Sequence, residues 1–189
     1  MNRIGISRDE ALALMHRYIT NERTRWHCLA SEVVMRRVAR HFGEDEEKWG
    51  LAGLLHDLDM EVTDGDIHIH GLETRRILNE AGVDPEIIET ACMHNEVSSG
   101  MERTTRFQHA LAASETITGL ISATALVYPD KKLSSVKPSS VVKRMKEEKF
   151  AASVKRERIR ECELIGIPLP DFAAMAIEAM LPIADEIGL

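Results

Sequence analysis

Aromatic side chains are scarce in this chain, which has two Trp, two Tyr and four Phe in 189 residues. So few rings exclude an extended base-stacking platform for single-stranded nucleic acid. Three cysteines (Cys28, Cys92 and Cys162) are too few and too scattered for a disulfide framework or a thiolate zinc site. No run approaches 18 apolar residues, so no segment reads as a membrane span. The opening stretch MNRIGISRDEALALMHRY lacks the apolar centre of a secretory signal, and the expected location is the cytoplasm. Positive charge is in deficit: 24 Lys and Arg against 31 Asp and Glu leave a net charge of −7. That balance argues against general nucleic-acid binding.

What is present is an ordinary globular composition, 44% hydrophobic and 29% charged. The length suits one domain, taken here as residues 1–189. Apolar residues recur with the helical period, and no segment alternates for long in the manner of a strand. The chain therefore reads as all-α, a bundle of about five or six core helices with extra C-terminal helices. Ser7 and Glu10 form a capping-box signature for a helix over about 8–20. A second helix spans about 24–42 and stops at Gly43, and a third begins near Asp45 and runs through WGLAGLLHDL. The polar stretch 60–67 reads as a loop, and a fourth helix over about 68–81 ends at Gly82. Asp84-Pro85-Glu86 opens a fifth. The longest runs from about Thr105 to Val127, and the last covers about 171–187. Residues from about 130 to 189 form a helical appendage on a core of about 22–127.

Helical phase sorts the eight histidines. His27 shares a face with Ser31, Val34 and Val38. His56 and Asp57 end an apolar run, with the small Gly53 one turn before Asp57, where a backbone or an ion could come close. His70 lines up with Ile77 and Ala81, and His94 with Ile87. Glu115 falls among Ala112, Gly119 and Ser122 on the longest helix. Inward-facing charged or imidazole groups must be paired or must bind a metal. A single inward histidine is more often a core residue bonded to a carbonyl, and His16, His41 and His109 read as that or as surface residues. The ordered set on successive helices is less easily satisfied that way, and imidazoles with carboxylates suit a first-row divalent metal.

That order resembles the HD-domain superfamily of metal-dependent phosphohydrolases over about residues 22–127. LAGLLHDLD resembles its helix with the His-Asp pair, HGLETRRIL its following His-Gly helix, MHNE its next histidine stretch and LAASETITGLI the helix that ends the site. The tail segments ALVYPDKKLSSV, VVKRMKEEKFAASVKRERI and EAMLPIADEIGL resemble a small bacterial branch of HD proteins. The resemblance implies a metal held by His27, His56, Asp57 and Glu115. His70 and His94, with Asp57, are implied as catalytic groups, or else His70 and His94 bind a second metal. Glu115 stands where the family has aspartate, and Leu58-Asp59-Met60 replaces the Ile-Gly-Lys of one subgroup.

The implied activity is hydrolysis of a small phosphate ester or nucleotide by hydroxide that the metal makes available at neutral pH. The cofactor is a divalent transition metal (Mn, Fe, Co, Ni or Zn), one or two per chain. Eleven of the 24 basic residues lie between Lys131 and Arg160. Lys131, Lys132 and Arg156 are the candidates there to meet substrate phosphate, and a solvated basic face is the alternative. Two other readings stay open: a non-catalytic ligand-binding module, suggested by Glu115, and a binuclear iron oxygenase. The apolar face of the last helix could pack internally or against a second copy in a homodimer.

Overall fold

Through Leu126, each helix start follows from a side chain that satisfies otherwise orphaned backbone N–H groups. The structure, a computed structural model, describes residues 4–189, so the first three residues of the expected 1–189 domain lie outside the described residues. It is all-helical, with no strand among the described residues. In α1 (Arg8–Tyr18) the expected capping box forms, the Ser7 N–H donating to Glu10 at 2.8 Å. The helix ends two residues early because Glu61 draws the next turn away. Its carboxylate accepts from the N–H groups of Thr20 and Asn21, both at 2.7 Å, and from the Thr20 hydroxyl at 2.7 Å. Asn21 then caps α2 (Glu22–Phe42), which stops at Gly43, and Asp45 caps α3 (Glu46–Leu55).

After α3 come α4 (Leu72–Glu80), α5 (Pro85–Cys92), α6 (Glu96–Ser99) and α7 (Arg106–Leu126). The C-terminal part holds α8 (Pro138–Arg144), α9 (Arg156–Ile159), α10 (Glu161–Leu164) and α11 (Leu169–Met180). Two expected boundaries are corrected. The fourth helix begins at Leu72 rather than at 68, because Gly71 takes a left-handed backbone, φ 100°, that breaks helical geometry there. The last helix spans Leu169–Met180 rather than 171–187, and Pro182, which has no N–H to continue the ladder, sits in the 3-10 turn that follows.

α2, α3 and α7 form the centre. α2 and α3 touch almost backbone to backbone at Gly53, where a Cβ would lie 2.6 Å from the Ser31 carbonyl oxygen. A buried carboxylate ties α1 to α2. Glu32, 1% exposed, accepts from Arg8 Nε at 2.6 Å and from Arg36 Nε at 3.0 Å. The apolar core is continuous from Met15 and Ile19 through Val34, Leu54 and Leu111 to Phe172 on α11, all fully buried. Burying one such side chain stabilises by about 1.5–3 kcal/mol. The C-terminal helices therefore dock as part of one core: α11 on α2, α7 and α8, and α9 and α10 on α7. Among the described residues, no single helix is long and apolar enough to cross a membrane.

Candidate metal centre

Four imidazoles from four different places in the chain converge on one carboxylate. His27 stands on α2, His56 caps the end of α3, and Asp57 follows in the next turn. His70 and His94 are not helical, which corrects the expectation that helices four and five carry them. His70 precedes α4 in a turn, and His94 lies between α5 and α6. Asp57 Oδ1 is 3.4 Å from His56 Nε2, 3.1 Å from His70 Nε2 and 3.3 Å from His94 Nε2. Its Oδ2 is 3.7 Å from His27 Nε2.

Every ring presents Nε2 to the centre because its Nδ1 is engaged elsewhere. His56 Nδ1 lies 2.8 Å from the Gly53 carbonyl and His94 Nδ1 2.5 Å from that of Ala91. His70 Nδ1 is 2.7 Å from Asp59 Oδ1. His27 Nδ1 is 3.0 Å from Thr118 Oγ1 on α7, and that hydroxyl donates to the Glu115 carbonyl, so it accepts from the ring. All these partners are acceptors, so each Nδ1 carries a hydrogen, and each Nε2 carries a lone pair when its ring is neutral. Two pairs of lone pairs then face one another, His27 with His56 at 3.1 Å and His70 with His94 at 2.9 Å. Each pair needs a cation between its nitrogens, a proton or a metal ion.

The donor set therefore fits a divalent metal. Two trios, His27-His56-Asp57 and Asp57-His70-His94, each bring three ligand atoms within 4.8 Å of one another. Asp57 belongs to both. Electrostatics favour the ligand forms at two residues. Burial pushes His56 down to about 3, keeping it neutral. Burial opposes ionisation of Asp57, but His56 and the hydrogen bonds of His70 and His94 hold its carboxyl well below the usual carboxylate range. For His70 burial works downward, yet Asp57 and Asp59 together push it up to about 10.

Glu115 lies beside this centre. Its Oε2 is 3.8 Å from His27 Nε2, its Oε1 accepts from the Thr116 hydroxyl at 2.5 Å, and it belongs to neither trio. A cavity of about 490 Å³ opens over the centre, with Glu115, Arg23, Lys155 and Arg158 in its walls. Of the three expected phosphate cations, Lys131 and Lys132 are exposed and do not line it. Arg156 turns inward to the backbone. Its guanidinium donates to the carbonyls of Ala151 at 2.7 Å, Val154 at 2.6 Å, Glu147 at 3.3 Å and also Phe150. His16 and His41 are exposed, and His109 lies 2.7 Å from Glu161.

Asp59 is the main residue that helical phase misses. It is fully buried, and its Oδ2 accepts from the N–H groups of Gly71 at 2.7 Å and of Glu73 and Thr74 at 3.1 Å. Burial opposes its ionisation, but the His70 hydrogen bond and these backbone donors hold it below the usual range. The same carboxylate thus caps α4 and orients His70. The sequence signal for it is only the second acid in His56-Asp57-Leu58-Asp59. Asn95 adds support by donating to the carbonyls of Ile67 at 2.6 Å and His70 at 2.9 Å.

The chain matches the HD domain family over residues 25–133, more than half its length and a span that holds all four imidazoles, Asp57 and Glu115. Neither a curated protein nor a solved structure matches it. The motif order, the helical bundle and this match agree, and the chain belongs to the HD-domain family.

Proposed function

We propose that the protein is a metal-dependent phosphohydrolase acting on a small phosphate ester. The observation that carries this reading is the convergence of four Nε2 atoms on Asp57 beneath a cavity walled by Arg23, Lys155 and Arg158. HD-domain proteins are typically metal-dependent phosphohydrolases. His27, His56 and Asp57 would hold one ion and Asp57, His70 and His94 a second, drawn from Mn, Fe, Co, Ni or Zn. When bound, such ions lower the pKa of water and place positive charge against phosphoryl oxygens. The need is quantitative: phosphate-monoester hydrolysis calls for up to about 10²¹-fold acceleration, and acid–base groups alone supply about 10²–10⁴.

The chain's own groups do the rest. The Nδ1 bonds to Thr118, Gly53, Asp59 and Ala91 hold the four rings in register, so little reorganisation is needed when substrate arrives. Glu115 Oε2, which carries no hydrogen bond, faces the cavity beside His27 and accepts the proton that the attacking water gives up. The cations on the wall draw the anionic substrate in.

The test is phosphate release from a broad panel of phosphate esters with Mn²⁺, Co²⁺, Mg²⁺ and Ni²⁺. Turnover above an Asp57→Ala control is expected, and none above it overturns the reading. Ligand-induced stabilisation without turnover would instead mark a binding module. The sharing of Asp57 between two trios also fits a binuclear iron oxygenase, which dioxygen uptake by iron-loaded protein would reveal.

A further inference from the structure

Resting on the phosphohydrolase reading, we propose that Arg158, Lys155 and Arg23 build a second anion subsite in the cavity. The substrate is then a compact phosphate ester that carries another phosphate-like dianion. The first observation is a contrast among the arginines. Elsewhere several arginines are paired with carboxylates within hydrogen-bond reach: Arg8 and Arg36 with Glu32, Arg40 with Glu46, Arg76 with Glu73, and Arg103 with Glu161. Around the cavity they are not. Arg158, only 14% exposed, has one acidic neighbour, Glu115 Oε1 at 3.9 Å, beyond hydrogen-bond range. Arg23 and Lys155 are exposed, and neither side chain has a hydrogen bond or an ion pair. The cavity's two carboxylates, Asp57 and Glu115, face the imidazoles, so the three cations repel one another, and a largely buried guanidinium is costly to leave without a hydrogen-bonded anion.

The second observation is position. Glu115 stands between the imidazoles and Arg158, with Oε2 on the His27 side at 3.8 Å and Oε1 on the Arg158 side at 3.9 Å. Arg158 therefore lies across the Glu115 carboxylate from His27, so a second anionic group of the substrate meets it while the phosphoryl group sits over the histidines. No Phe, Tyr or Trp lines this cavity, so it offers a flat base no stacking surface. All three cations lie outside residues 25–133, the span that matches the family. Arg156 holds Lys155 and Arg158 in place. By gathering the carbonyls of Glu147, Phe150, Ala151 and Val154, it folds the turn that sets Lys155 and Arg158 over the site.

The experiment is calorimetric titration of the metal-loaded protein with inorganic phosphate and with methylenediphosphonate, which carries two phosphonate groups and is not hydrolysed. The diphosphonate is expected to bind about tenfold more tightly than phosphate. Arg158→Gln should remove that advantage, read as the ratio of the two affinities, while leaving metal content unchanged. Because Arg158 is largely buried, the exposed double variant Arg23→Gln/Lys155→Gln is measured beside it and should lose at least about threefold of the advantage. Equal affinities in the wild type, or an advantage that survives in both variants, overturn the subsite. Phosphate binding that persists in those cases leaves the phosphohydrolase reading standing. No phosphate binding to the metal-loaded protein overturns both.

Discussion

Asp59 Oδ1 lies 2.7 Å from His70 Nδ1, and the other oxygen of the same carboxylate caps α4. One side chain thus couples a helix start to the aim of an imidazole at the metal centre. Replacing Asp59 with Asn sets an amide N–H₂ against either the His70 ring or the Gly71, Glu73 and Thr74 donors. Loss of such a second-layer partner typically costs about 10–100-fold in metal affinity. Asp59→Asn should therefore weaken the ion at His70 and His94 in that range and leave the His27-His56 ion in place. Metal titration followed by elemental analysis reads both.

Gly53 should tolerate no side chain. A Cβ there meets the Ser31 carbonyl oxygen at 2.6 Å, and the neighbour is backbone that cannot rotate away. Gly53→Ala must push α3 from α2, which carry His56 and His27. The expected cost is about 1–3 kcal/mol in denaturant unfolding, accompanied by weaker metal binding. An alanine variant of wild-type stability and metal content would contradict this geometry.

Removing metal should destabilise the fold as well as silence it. An ion present at 100 times its dissociation constant stabilises by about 2.7 kcal/mol. Thermal unfolding with and without a chelator should show a lower Tm without metal, restored by added Mn²⁺. Elemental analysis should find two ions per chain. His56→Ala and His94→Ala should each leave about one.

Glu61 predicts a pH effect of known sign. Hydrogen bonds from the Asn21 N–H and then from Thr20 hold its carboxyl below the ordinary glutamate value, and it is exposed. A carboxyl depressed on folding stabilises above its unfolded value, and the gain is lost as pH falls through the folded value. The junction between α1 and α2 should therefore loosen only below about pH 4.5. Comparing the Tm of wild type and Glu61→Gln from pH 7 to pH 3 checks this. The difference should shrink toward zero at the acid end.

Much of the framework is legible in local chemistry. Ser7 with Glu10, Asp45, Asp84-Pro85 and Thr105 mark helix starts, and Gly43 marks an end, because capping depends on residues within one turn. The order of His27, His56-Asp57, His70, His94 and Glu115 is legible for the same reason, as a pattern along the chain.

Helical phase misplaces His70 and His94 because it assumes each stays on a helix, and both stand in turns. Those turns are set by groups distant in sequence: Asp59 holds Gly71, and Asn95 reaches back to the carbonyls of Ile67 and His70. Charge counting likewise marks the basic stretch between Lys131 and Arg160 but cannot choose among its members. Arg156 is consumed by four carbonyls, while Arg158, two residues on, is left facing Glu115. The sequence by itself determined the helical class, the locally capped helix starts and which residue types could ligate. Tertiary structure decided which nitrogens meet at Asp57 and which cations face them, since both depend on packing between segments far apart in the chain.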